Sequence, residues 1–64
     1  MKFTIEVLHS RGAGREEVLY HASVDEISPK RAKVKADQLL GTWRGRGASR
    51  ARVLNHQGEE IYSS

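Results

Sequence analysis

Trp43-Arg44-Gly45-Arg46-Gly47 is the stretch whose residue types come closest to a binding chemistry. Guanidinium forks match the geometry of phosphate oxygens, and an indole stacks on nucleobases. Arg50 and Arg52 follow, and Lys30, Arg31 and Lys33 stand earlier in the chain. Together with Arg44 and Arg46 they form a candidate nucleic-acid contact, a basic surface that tracks phosphates. The same stretch has a plainer reading, in which Trp43 closes a helix end against a sheet and the loop is solvated. Ser28-Pro29-Lys30-Arg31 has the form of a proline-directed phosphorylation site or a short minor-groove motif, but Ser28 as a helix cap accounts for it.

His9, His21 and His56 are candidate metal ligands. None has a ligand spacing such as H-x-x-x-H, and there is no cysteine to assist, so no metal site and no cofactor are expected. The chain has no G-x-S-x-G, phosphate loop, H-E-x-x-H or dinucleotide fingerprint. Its adjacent carboxylates, Glu16-Glu17 and Glu59-Glu60, fall on strands, where neighbours point to opposite faces. A small-molecule substrate is not expected, and the chain reads as non-enzymatic.

A chain of 64 residues makes one small domain, with a stability of roughly 3–5 kcal/mol from one core. At that size dimerisation is a natural source of further burial. The net charge of +3 hides a separation. From Ser28 to Gly58 eight basic residues face one acid, Asp37, while the rest of the chain has three basic and seven acidic residues. Such asymmetry steers an acidic partner or makes two copies complementary. Glu6 interrupts the first apolar run, so no signal peptide is read there. No apolar run approaches the roughly 20 residues that span a membrane. Together with the lack of cysteine, this gives the expectation of a soluble, cytoplasmic protein that does not use a membrane.

These residues must be positioned by a helix and the sheet it needs. Ser28 to Gly41 carries both helix ends: Ser28 as cap, Pro29 at the first position, and Gly41 for the left-handed closure. Ile27 before the cap is placed to staple onto the first turn. Ala32, Ala36, Leu39 and Leu40 give one apolar stripe, with Trp43 just outside. Lys30, Arg31, Val34, Asp37 and Gln38 fall on the outer face. Basic residues at the helix N-terminus oppose the helix dipole.

Alternation predicts strands over Lys2 to His9, Glu16 to Val24, Ser49 to Asn55 and Glu59 to Tyr62. Ser10-Arg11-Gly12-Ala13-Gly14 joins the first two as a hairpin, with Gly12 or Gly14 at positive φ. Asn55 to Gly58 makes the second turn, and Ser63 and Ser64 are expected to fray. The class is α+β: a β-β-α-β-β chain forming a four-stranded antiparallel sheet in the order 2-1-3-4, with the helix on one face. The expected core is Phe3, Ile5, Val7, Val18, Tyr20, Ala22, Val24, Ala32, Ala36, Leu39, Leu40, Trp43, Ala51, Val53 and Ile61. The opposite face then shows Leu8, Leu19, His21, Leu54 and Tyr62, a candidate partner contact.

The closing stretch, Arg52-Val53-Leu54-Asn55-His56-Gln57-Gly58-Glu59-Glu60-Ile61-Tyr62, resembles the last hairpin of short bacterial β-β-α-β-β proteins of unknown function. The matching positions are Ala32, Ala36, Val53, Asn55, Gly58, Ile61 and Tyr62, in the second half of the chain. The resemblance implies the fold and a bacterial source, and carries no activity. The functional expectation is a protein-interaction or homodimerising module that uses the uncovered sheet face. The alternative is a nucleic-acid-binding module that uses the basic helix and loop.

Overall fold

A computed structural model describes residues 1–64. Its strands are β1 (Lys2–Gly12), β2 (Arg15–Asp25), β3 (Arg50–Leu54) and β4 (Glu60–Ser63), with helix α1 (Pro29–Trp43) between β2 and β3. The sheet is antiparallel in the order β2-β1-β3-β4, and α1 packs on it, so the α+β architecture and strand order follow the alternation and helix periodicity of the chain.

The core is one cluster: Phe3, Ile5 and Val7 of β1, Ala51 and Val53 of β3, and Ala32, Ala36 and Leu40 of α1. Three of these eight are alanines, which let the helix backbone come close to the sheet. Ser28 caps α1 as expected, its Oγ accepting from the Arg31 amide at 3.3 Å, and Pro29 occupies the first turn. A helix with its side chains is about 10 Å wide, and strands lie about 4.8 Å apart, so one helix covers two strands. Accordingly α1 lies over the central pair, β1 and β3, and both edge strands extend beyond it.

Several expectations are corrected. The helix runs through Gly41 to Trp43 and continues as a 3-10 turn, Arg44–Arg46. The left-handed residue that closes it is Gly47, at φ 97°, whose amide bonds to the Arg44 carbonyl. Ile27 is 80% exposed and staples nothing. The first hairpin is longer and tighter than expected, with β1 reaching Gly12 and β2 starting at Arg15. Ala13 and Gly14 have positive φ, as a two-residue mirror-image turn requires at its centre, and so does Gly12 before them.

Two of the three register shifts in the sheet redistribute the faces. In β2, Tyr20 pairs with Val7 but Val18 pairs with Leu8, leaving Leu19 as the extra residue. The shift moves Val18 out of the expected core, where it is 48% exposed. In β4, Tyr62 rather than Ile61 pairs with Val53, so Tyr62 faces the helix and does not belong to the uncovered face. Tyr20, expected in the core, is 36% exposed, and Ala22, Val24, Leu39, Trp43 and Ile61 are half-buried. The final serines are held: Ser63 is in β4 and the Ser64 amide bonds to the Ala51 carbonyl at 2.9 Å.

Candidate binding surfaces

On the sheet face away from α1, alternation along β1 brings out Thr4, Glu6 and Leu8, and the pairing sets His21 beside Glu6 and Leu54 beside Thr4. This face is occupied by charge. Arg50 of β3 binds Glu16 of β2 through Nε at 2.5 Å and Nη2 at 2.9 Å. That bridge reaches over β1, and Leu8, the β1 partner of Arg50, is only 2% exposed. Arg52 binds Glu6 at 2.5 Å, and Glu60 lies 3.9 Å from both arginines. The Arg50 hydrogen bond holds the Glu16 carboxyl below its ordinary range, and Glu16 in turn raises Arg50.

Of the five residues expected as a partner contact, Leu8, His21 and Leu54 share this face, but the five do not form one exposed apolar patch. Leu8 lies beneath the ion pairs, Leu19 and Leu54 are half-buried, His21 is exposed, and Tyr62 is on the other face. The seven basic residues are divided as well. Arg50 and Arg52 are paired with acids on the uncovered face, while Lys30, Arg31, Lys33, Arg44 and Arg46 belong to α1 and the turn after it. None of those five, nor Lys35, has a carboxylate within ion-pair distance. The basic surface is thus a helix-side one, broken from the β3 arginines by the thickness of the sheet.

The flanks of α1 differ. Toward β4, Tyr62 Oη donates to Asp37 at 2.8 Å, and Lys33 Nζ stands 5.6 Å from the Tyr62 ring. These contacts close that side, and the hydrogen bond to Asp37 raises the Tyr62 phenol above its ordinary value. Toward β2, the Tyr20 and Trp43 rings lie 5.4 Å apart at 32°, and Arg46 stacks 5.4 Å from the Trp43 ring. Tyr20, Ala22 and Val24 alternate onto this side of β2, opposite Leu39 and Trp43 of α1. The result is a half-covered apolar shelf beside the open edge of β2, an 11-residue strand paired on one side only.

That shelf was not visible as a site in the sequence. Its residues are apolar at core spacing, and only the width of a four-stranded sheet under a single helix leaves them half-exposed. His9 is used structurally, its Nδ1 lying 2.6 Å from the Gly47 carbonyl oxygen. His9, His21 and His56 take part in no cluster of three or more potential metal ligands. Surface depressions occur at Arg11, Arg15, Glu16 and Glu17 and at Lys2, Phe3, Thr4, Ser23, Asn55, His56 and Gly58. No helix is long and apolar enough to cross a membrane. No protein-family model, curated protein or solved structure matches the chain.

Proposed function

We propose that this chain is a non-enzymatic protein-interaction module that takes an extended strand along the open edge of β2. The observation that carries this reading is the placement of α1 over β1 and β3, which leaves β2 with unpaired backbone groups next to the shelf of Tyr20, Ala22, Val24, Leu39 and Trp43. Strand addition uses these two features together: main-chain hydrogen bonds give affinity, and alternate side chains read the neighbouring surface. The run Tyr20 to Val24 has no charge, no proline and no bulge, the usual guards of an exposed edge. The uncovered face is the weaker surface for a partner, because its arginines and glutamates already satisfy one another.

Amide exchange tests the reading. A purified binding partner should protect the amides of Tyr20 to Asp25, and Tyr20→Lys with Val24→Lys should abolish binding with the fold intact, because inward-pointing charge blocks edge pairing. Protection confined to His21, Leu54 and Thr4 side-chain neighbours on the ion-paired face would move the contact there instead.

A second reading, nucleic-acid binding, rests on Arg46 over the Trp43 ring beside cations that lack acidic partners. It expects oligonucleotide affinity to fall steeply with salt, and Arg44→Ser with Arg46→Ser to shallow the log–log slope by about 2. Arg50→Ser should leave that slope unchanged, since Arg50 is held by Glu16.

A further inference from the structure

The open edge of β2 has a pattern of charge beside it that selects among occupants. We infer that it takes an acidic extended segment whose shelf-side residues read acid, apolar, acid at every second position. This rests on the edge-docking reading above and adds the chemistry of the partner.

The spacing comes from the two elements that bound the shelf. Trp43 meets Tyr20, which fixes the C-terminal end of α1 at that end of the shelf. Lys35 is eight residues earlier on the same flank, about 12 Å back along the helix axis. Along β2, Tyr20 to Val24 spans four residues, about 13 Å. Lys35 therefore stands level with Val24, while Arg46, stacked on Trp43, stands at the Tyr20 end. Both are exposed and neither has a carboxylate within ion-pair distance. Midway between them lie Ala22 and Leu39, and the small Ala22 leaves space for an apolar side chain. A strand added to β2 presents alternate residues to this side. Carboxylates at its first and fifth positions would meet the two cations, and an apolar residue at its third would cover Ala22.

A second copy of the chain does not meet this requirement. Pairing β2 with its own copy about a twofold axis places the two helices on one side of the sheet, about 19 Å apart, which leaves a trough between them. The shelf-side residues that the copy brings are its own Tyr20, Ala22 and Val24, which are uncharged, and Glu17, whose carboxylate is already held by Arg11. Lys35 and Arg46 of both copies would face that trough with no uncommitted carboxylate in it. Charge complementarity thus favours an acidic segment of another protein.

The test uses the intact protein and a capped peptide, Thr-Thr-Glu-Thr-Val-Thr-Glu-Thr-Thr. Two further peptides carry glutamine or lysine in place of the glutamates, and oligothymidylate is titrated in parallel. Amide and indole chemical shifts are recorded at about 50 mM salt, where screening is moderate. The expected result is movement of the Tyr20 to Asp25 amides and the Trp43 indole with the glutamate peptide, less with glutamine, and none with lysine. Lys35→Glu with Arg46→Glu, both at exposed positions, should weaken the glutamate peptide about tenfold and admit the lysine peptide. Equal binding of all three peptides overturns the acidic preference while leaving edge docking intact. Absence of any peptide shift overturns both. Concentration-dependent dimerisation that moves the same amides overturns the inference in favour of a second copy, and response to oligothymidylate alone overturns it in favour of nucleic acid.

Discussion

Ala13 holds a left-handed backbone, φ 52°, between two glycines in the same region. An L side chain there crowds the following carbonyl, at a cost of about 1–2 kcal/mol that glycine avoids. The two-residue turn demands this geometry, and alanine meets it only under strain. Ala13→Gly should therefore stabilise the fold by roughly 0.5–1 kcal/mol once the added freedom of the unfolded chain is counted, read as a higher denaturation midpoint. Tyr62 offers a second residue-level test. Its hydroxyl donates to Asp37, and that bond favours the protonated phenol in the folded state. The stability it contributes is complete below the ordinary phenol pKa of 10.0 and is lost as pH rises through the higher folded value. Asp37→Asn should bring the phenolate absorbance titration of Tyr62 back toward 10.0.

At the scale of elements, the parts of the fold that depend on local chemistry were legible. Ser28 and Pro29 start the helix, alternating residues mark four strands, and alanine spacing gives the buried stripe. What was not legible is what depends on pairing. Nothing in Val18-Leu19-Tyr20 announces that Leu19 is skipped, nor in Glu60-Ile61-Tyr62 that Ile61 is, since each shift is decided by the opposing strand. A shift of one residue exchanges faces, which is why Val18 and Tyr62 changed sides. Gly41 misled for a related reason. It lies on the exposed side of α1, where the helix tolerates it and continues. Leu40 is the largest helix residue in the core cluster, so Leu40→Ala should cost about 2–5 kcal/mol. In a domain whose whole stability is about 3–5 kcal/mol, thermal unfolding should become broad or vanish.

The whole molecule sorts its charge by face. Sequence bookkeeping located the basic half and the acidic half, but not that Arg50 and Arg52 project away from α1 and join β1, β2 and β4 through Glu6, Glu16 and Glu60. The partition leaves positive charge on the helix side and near-neutrality on the other. The ion-paired face also sets an acid limit. Because the Glu16 carboxyl is held low by Arg50, its contribution is present above the ordinary pKa of 4.5 and disappears as pH falls through the lowered folded value. Glu16→Gln should flatten that part of the acid-unfolding curve, measured by circular dichroism against pH, while leaving the neutral-pH fold unchanged.

The seat of α1 over the central strands also ranks the strands by how readily they open. β1 is clamped by a strand on each side and the helix above, whereas β2 depends on β1 and on ring contact at its middle. Sub-global opening draws on singly paired edge strands, β4 and β2, before the doubly paired centre. In deuterium the β2 amides that bond to β1 should exchange with a lower opening free energy than the β1 amides that bond to β3. The chain would then visit, for a small fraction of the time, a three-stranded form with β1 as its new edge. Any ligand that pairs with β2 would suppress that excursion, so slowed exchange at residues it never touches would be its signature.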